Sequence, residues 1–148
     1  LARDNEMMMF VTGVCAVLNL RTGRLSYSNA GHMPPLLLKR GGGVQALELP
    51  PGPVMGVRED GDYSCREVKL SPGDQVLLYT DGITESANKS GEFYGDERLS
   101  EFAAAHTGSA PEQLIRALFA RTSEFSSGAE QFDDMTALAV RYVGGRGS

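Results

Sequence analysis

The sequence predicts an α+β domain built mainly on antiparallel sheet. Strand-like apolar segments occupy most of residues 10–80, two amphipathic helical segments follow, and a last strand-like segment closes the order. Strands and helices thus occur in separate runs, whereas a parallel sheet would require them to alternate. Because 148 residues is the length of one ordinary domain, we expect residues 1–148 to form a single domain, with residues 144–148 as a flexible tail.

The first half of the chain reads as strands joined by turns. Residues 1–9 are polar and then Met-rich, which is typical of the end of a helix. Residues 10–20 are apolar on both alternating faces and predict a buried central strand, which pairs with residues 24–30 as a hairpin. Further strands are predicted at residues 36–40, 44–49, 63–70 and 75–80, the first two of them as an outer hairpin.

Two helices and a strand are predicted in the second half. Asp96 is a candidate cap for a helix over residues 97–105. Ser109 and Glu112 have the spacing of a capping box for the next helix. Its apolar side chains recur at helical spacing and predict core packing; they are Leu114, Ile115, Leu118, Phe119 and Phe125. Residues 135–143 read as the last strand.

Composition excludes several classes of function. The net charge is −5 and the basic residues are scattered, which argues against a nucleic-acid partner. No segment approaches the roughly 20 apolar residues that span a bilayer, and the first residues lack a signal-peptide layout. We therefore expect a cytoplasmic protein. Cys15 and Cys65 lack a Cys-x-x-Cys spacing and are expected to be buried free thiols.

Two aspartates suggest a chemistry. Asp81 ends the apolar run at residues 75–80, and Asp133 precedes the run at residues 134–140. If these runs are neighbouring antiparallel strands, the end of one lies beside the start of the other. Two carboxylates at one rim repel each other, and a cation relieves that repulsion. Carboxylate oxygens are hard ligands that suit Mg²⁺ or Mn²⁺.

Each of these residues also has a purely structural explanation. Asp81 and Gly82 form a common turn dipeptide, and Asp133 and Asp134 would solvate the approach to a strand. His32 is read as a structural residue before a turn rather than as a general acid. His106, near a helix end, is expected to be solvated or to contact terminal carbonyls. Packing and loop roles are favoured over phosphate contact for three residues near Asp81: Tyr79, Glu85 and Asn88.

Five segments in one order resemble a known family. They are Phe10-Val-Thr-Gly13, Tyr27-Ser-Asn-Ala-Gly-His-Met-Pro-Pro35, Leu70-Ser-Pro-Gly-Asp74, Leu78-Tyr-Thr-Asp-Gly-Ile-Thr-Glu85 and Phe132-Asp-Asp-Met-Thr136. Together they resemble the SpoIIE/RsbU-type serine phosphatases, the bacterial branch of the PP2C-like metal-dependent phosphatases. The resemblance covers about residues 9–143.

The resemblance implies an αββα sandwich that holds two Mg²⁺ or Mn²⁺ ions, with a metal-bridging water as the nucleophile and no covalent phosphoenzyme. It implies that Asp81 and Asp133 are metal ligands and hold that water. Asp134 and Gly82 would lie next to the ligands without binding the metal themselves. Asp134 would orient Asp133 or a metal-bound water. The implied substrate is a phosphorylated protein, a STAS-type anti-anti-sigma regulator.

The chain departs from the family pattern in its first part. The family's Gly-Asp-x-x-Asp and Asp-x-x-Gly-x-Gly motifs do not occur in the sequence. We therefore expect a C-terminal portion of a phosphatase domain, without its N-terminal strands and helices, that binds one metal ion tightly or none. Uncovered sheet edges would favour self-association, for example as a homodimer. Two functions stay open: a phosphoserine/phosphothreonine protein phosphatase, and a catalytically inactive module that binds a regulatory protein.

Overall fold

The computed structural model describes residues 9–57, 61–127, 129 and 134–145. Its elements in chain order are β1 (Gly13–Leu18), β2 (Arg24–Ala30), β3 (Leu36–Leu38), β4 (Val44–Ala46), β5 (Arg66–Lys69), β6 (Gln75–Tyr79), α1 (Asp81–Thr84), α2 (Gly95–Ala105), α3 (Pro111–Phe125) and β7 (Ala137–Arg141). None of the described helices is long and apolar enough to cross a membrane. The predicted helix end at residues 1–8 and the tail at 146–148 lie outside the described residues.

The chain divides into two compact units. The sheet unit comprises described residues of Leu1–Pro34, Glu48–Leu70 and Gly144–Ser148, and the helix unit comprises those of Pro35–Leu47 and Ser71–Val143. The sheet unit contains an antiparallel sheet in the order β1-β2-β5. The helix unit contains a second antiparallel sheet in the order β4-β3-β6-β7, together with all three helices. The predicted antiparallel pairing is therefore confirmed in both units.

The hairpin of β1 and β2 is confirmed, but the predicted position of β1 is wrong. Within the described residues β1 pairs with β2 alone and forms the edge of its sheet. Its central residues are exposed, and Val17 retains 68% of its accessible surface. An apolar run has the same appearance in a central strand and in an edge strand, because the neighbouring strand is not encoded in the run itself.

The two cysteines are free, as predicted, but they are not buried. Cys15 lies on β1 opposite Ser28 of β2, and Cys65 lies just before β5. Both side chains are exposed. The cause is again the edge position of β1 and the short length of β5, which begins only at Arg66.

The core of the helix unit forms where its helices meet the sheet. Helix α3 packs on β7, and the predicted helical stripe supplies Leu114 and Leu118, both fully buried. Thr122 is equally buried, and its hydroxyl donates to backbone carbonyls one turn earlier in α3. Leu37 and Leu77 contribute from the centre of the sheet. The site described next is thus attached to a well-packed strand pair.

Two predicted helix caps are wrong in detail. Asp96 lies in the first turn of α2, whose cap position is Tyr94. The capping contact of α3 begins one residue later than expected: the backbone N–H of Ala110 donates to the Gln113 side chain, at 3.3 Å. Because Pro111 occupies the first helical position, Ser109 lies one residue too early to cap it.

Candidate metal centre

Strands β6 and β7 bring two distant parts of the sequence together. Their antiparallel register pairs Tyr79 with Ala137. Beyond this pair, the backbone N–H of Thr80 donates to the carbonyl of Thr136, at 3.0 Å. The residues that follow β6 therefore lie beside the residues that precede β7. The premise for a shared carboxylate rim is confirmed up to Asp134; Asp133 lies outside the described residues.

The two segments approach each other closely. A Cβ atom added to Gly82 would lie 2.5 Å from the carbonyl oxygen of Asp134, well inside van der Waals contact. The hydroxyl of Thr80 donates to the same carbonyl oxygen at 3.1 Å. It also accepts the backbone N–H of Thr136 at 3.0 Å. The Thr80–Gly82 segment and the Asp134–Thr136 segment are therefore in direct backbone contact.

Asp81 is the first residue of α1, a single helical turn. The turn predicted from Asp81 and Gly82 is therefore helical. The Asp81 carboxylate is exposed, and its Oδ1 accepts the backbone N–H of Gly82 at 3.0 Å. The Asp81 carbonyl accepts the N–H of Glu85 and the hydroxyl of Thr84, which fixes the turn. One oxygen of the carboxylate is thus held at the strand end by the backbone.

Tyr79, the last residue of β6, is 3% exposed. Burial raises the pKa of its phenol to about 12, and the negative charge of Asp96 and a hydrogen bond to that carboxylate add to the effect. The phenol is therefore neutral at physiological pH, and its hydroxyl donates a hydrogen bond to the Asp96 carboxylate. This contact ties the strand end to the first turn of α2, in agreement with the packing role predicted for Tyr79.

The other candidate side chains have structural contacts. Asn88 accepts the backbone N–H groups of Ser90 and Glu92 and so shapes a loop, as predicted. The ring of His106 stacks on Phe102 and contacts its carbonyl at 2.8 Å, which confirms the predicted contact with a terminal carbonyl.

His32 belongs to the sheet unit, and Asp81 belongs to the helix unit. Its backbone N–H donates to the side chain of Asn29 at 3.0 Å. This contact closes the bend after β2, which is consistent with a structural role for His32.

The donors at the rim suit a hard divalent cation, but the described part of them is incomplete. Asp81 supplies an exposed carboxylate, and no Lys or Arg side chain forms an ion pair with it among the described residues. Oxygen donors of this kind are what Mg²⁺ and Mn²⁺ take. Within residues 9–57, 61–127, 129 and 134–145, no three His, Cys, Asp or Glu side chains cluster as a metal site. The described residues therefore suit a divalent cation but supply only part of its ligands.

Comparison with known proteins decides the family. The family model described as Stage II sporulation protein E (SpoIIE) matches residues 1–143. The chain belongs to the SpoIIE family. Protein IcfG of Synechocystis is 33% identical over 91% of this chain and 21% of that protein. The phosphoserine phosphatase RsbU of Bacillus subtilis is 25% identical over 92% of this chain and 40% of that protein.

A solved structure confirms the predicted PP2C-like fold. The SiaA-PP2C domain of Pseudomonas aeruginosa superposes with a TM-score of 0.71 at 28% identity, over 82% of this chain and 47% of that one. This SpoIIE-family chain therefore spans less than half the length of each of these three relatives. The coverage agrees with the sequence-based expectation of a partial PP2C-like domain.

Sequence reasoning missed one residue of the rim. Thr80 and Thr136 appear in the motifs that carry the resemblance, yet only the aspartates and Gly82 were singled out as functional. The available signal was a hydroxyl residue directly before Asp81, at the point where a strand passes into another element.

Proposed function

We propose that the protein is a metal-dependent phosphatase that hydrolyses phosphoserine or phosphothreonine in a protein substrate. The observation that supports the proposal is the close approach of Gly82 and of the Thr80 hydroxyl to the carbonyl of Asp134, the residue that follows the predicted ligand Asp133 in the sequence. Membership in the SpoIIE family and similarity to the phosphoserine phosphatase RsbU support the proposed reaction.

In this proposal the carboxylates of Asp81 and Asp133 hold a Mn²⁺ or Mg²⁺ ion. The bound ion would lower the pKa of a water molecule and offset the charge of the phosphoryl group. Asp81 is presented by the rigid turn α1, and Asp133 is covalently joined to Asp134, whose carbonyl is fixed by Thr80. Asp134 would orient the Asp133 carboxylate without binding the ion itself. Since these residues supply few of the six ligands that such ions take, the described segment would bind a cation weakly without further acids.

We propose a phosphorylated STAS-type regulator as the substrate. The proposal rests on the family resemblance and on RsbU, whose name records phosphoserine as its target. The acidic net charge of −5 is compatible with a protein partner rather than a nucleic acid.

Phosphate release tests the proposed reaction. It is measured from a phosphoserine STAS domain with Mn²⁺, Mg²⁺ or EDTA, on the 148-residue chain and on a version extended by the family's N-terminal aspartate motifs. We expect Asp81→Asn and Asp133→Asn to reduce turnover of the extended version by more than about a hundredfold, and Asp134→Asn by roughly tenfold. Asp62→Asn, an exposed aspartate of the sheet unit, is the matched control.

The outcomes separate two functions. Metal-dependent turnover that both ligand variants abolish supports a phosphatase. Turnover that is unchanged by Asp81→Asn and Asp133→Asn would refute the assigned site. Binding of the phosphorylated regulator without any release, in both versions, would instead indicate an inactive module that docks its partner.

We also propose self-association through an exposed sheet edge. Strand β1 has a neighbour on one side only within the described residues, and such edges pair with other chains. Size-exclusion chromatography over a range of concentrations measures the effect. A monomer at every concentration would contradict this proposal.

A further inference from the structure

The hydroxyl of Thr80 replaces a missing backbone hydrogen bond at the rim. In an antiparallel hydrogen-bonded pair, both residues exchange N–H···O bonds. Thr80 and Thr136 continue the register of β6 and β7, and the N–H of Thr80 does donate to the carbonyl of Thr136. The reverse bond is not formed between the described residues: the carbonyl of Thr80 accepts the N–H of Ile83 as α1 begins. The N–H of Thr136 donates to the Thr80 hydroxyl instead.

This exchange solves a geometric conflict. The chain must leave the sheet at Thr80 so that Asp81 starts a helical turn, yet the neighbouring segment must stay in register with β6. Thr80 is extended (φ −90°, ψ 159°), and its side chain serves the strand while its carbonyl serves the helix. The same hydroxyl also donates to the carbonyl of Asp134. Both hydrogen-bonding functions of one oxygen are therefore used to hold residues 134–136.

We propose that Thr80 is a positioning residue that sets the separation between Asp81 and the backbone of Asp134, and thereby the affinity of the rim for a divalent cation. This inference rests on the proposed function. Thr80 does not touch the reacting groups. It acts through the backbone of Asp134, which is the covalent neighbour of the proposed ligand Asp133.

The test compares two substitutions of similar size. Thr80→Val keeps the branched shape and removes the hydroxyl, whereas Thr80→Ser keeps the hydroxyl. We expect Thr80→Val to raise the Mn²⁺ dissociation constant about three- to tenfold, because it loses a partly exposed pair of hydrogen bonds. Thr80→Ser keeps the hydroxyl and should bind Mn²⁺ as tightly as the wild type. Calorimetric titration with Mn²⁺ measures this on the version extended by the N-terminal aspartate motifs, with Thr22→Val as the control. The Thr22 hydroxyl accepts one backbone N–H in a turn of the sheet unit.

Hydrogen exchange provides a readout that does not depend on metal. The amide of Thr136 should exchange about three- to tenfold faster in Thr80→Val than in the wild type or in Thr80→Ser. Thermal melting of each variant confirms that it is folded. In the phosphatase assay, Thr80→Val should raise the Mn²⁺ concentration for half-maximal rate and leave the rate at saturating Mn²⁺ nearly unchanged.

The failures are distinguishable. If the extended wild type shows no Mn²⁺ binding that Asp81→Asn abolishes, the proposed function fails and the role of Thr80 is overturned with it. If the wild type binds Mn²⁺ and Thr80→Val binds it equally well, the role of Thr80 alone is overturned. A loss of affinity that Thr80→Ser does not restore would also contradict it, because the hydroxyl would then not be the cause.

Discussion

Substitution of Gly82 by alanine tests the close approach of the two segments at the rim. Gly82 lies in α1, its φ is not in the left-handed region, and alanine is the better helix former. Local backbone preference therefore favours the change. The opposing effect is steric: the new Cβ would lie 2.5 Å from the Asp134 carbonyl oxygen and 3.0 Å from its carbon. Since both are backbone atoms, no side-chain rotation relieves the overlap.

The size of the effect follows from these two terms. The backbones must separate by at least about half an ångström to reach the shortest Cβ contacts found in proteins. Overpacking of this kind costs about 1–3 kcal/mol. The gain from helix propensity and from a less flexible unfolded chain is at most about 1 kcal/mol. After the full gain is subtracted, the net cost is about 0–2 kcal/mol. Because the overlapping atoms are backbone, we expect the upper half of this range: Gly82→Ala should lower the free energy of unfolding by about 1–2 kcal/mol and weaken Mn²⁺ binding.

Urea denaturation measures the stability change, and Mn²⁺ titration measures the effect on the rim. Gly108→Ala is the matched control, because its φ is also outside the left-handed region and nothing lies within 4 Å of the added Cβ. It should leave Mn²⁺ binding unchanged and should not lower the free energy of unfolding. The reasoning is refuted if Gly82→Ala is as stable as the wild type and binds Mn²⁺ equally well, because the contact with Asp134 would then impose no constraint.

Two further substitutions probe side-chain hydrogen bonds at the two ends of β6. Burial and Asp96 raise the pKa of Tyr79 to about 12 from 10.0, so its contribution is complete below pH 10 and is lost as the pH rises towards 12. Over this interval the free energy of unfolding of the wild type should fall by about 2–3 kcal/mol more than that of Tyr79→Phe. Denaturation curves at a series of pH values measure the difference. An equal fall in both proteins would contradict the assignment. Asp74 is 3% exposed and accepts the backbone N–H groups of Arg40 and Ser71. Asp74→Ala should therefore cost about 2–4 kcal/mol at neutral pH, and an unchanged denaturation midpoint would show that these bonds are dispensable.

The strand pair that positions the site was predictable from sequence. Residues 75–79 and 137–141 are apolar enough to identify as strands, and their order in the chain is compatible with antiparallel neighbours. The turn at residues 71–74 was also predictable, because Pro72 and Gly73 favour its backbone conformation. In the structure the Asp74 carboxylate accepts the backbone N–H of Ser71. These features depend on local chemistry, which the sequence carries directly.

The remaining features depend on tertiary contacts. Asp81 and Gly82 read as a turn, and they form a helical turn because Thr80 can satisfy the neighbouring segment with its side chain. The edge position of β1 and the exposure of Cys15 depend on which strands lie beside β1. The apolar pattern of residues 10–20 does not identify those neighbours. The cap of α3 lies one residue later than predicted, because Pro111 occupies the first helical position.

The most direct test of the central claim is Mn²⁺-induced line broadening in the amide spectrum of the chain, which at 15.9 kDa is accessible to solution NMR. We expect the signals of residues 80–84 and 133–136 to broaden together at the same Mn²⁺ concentration, and Asp81→Asn to remove the effect from both segments. Broadening of one segment without the other, or of neither, would show that the carboxylates of Asp81 and Asp133 do not share a cation.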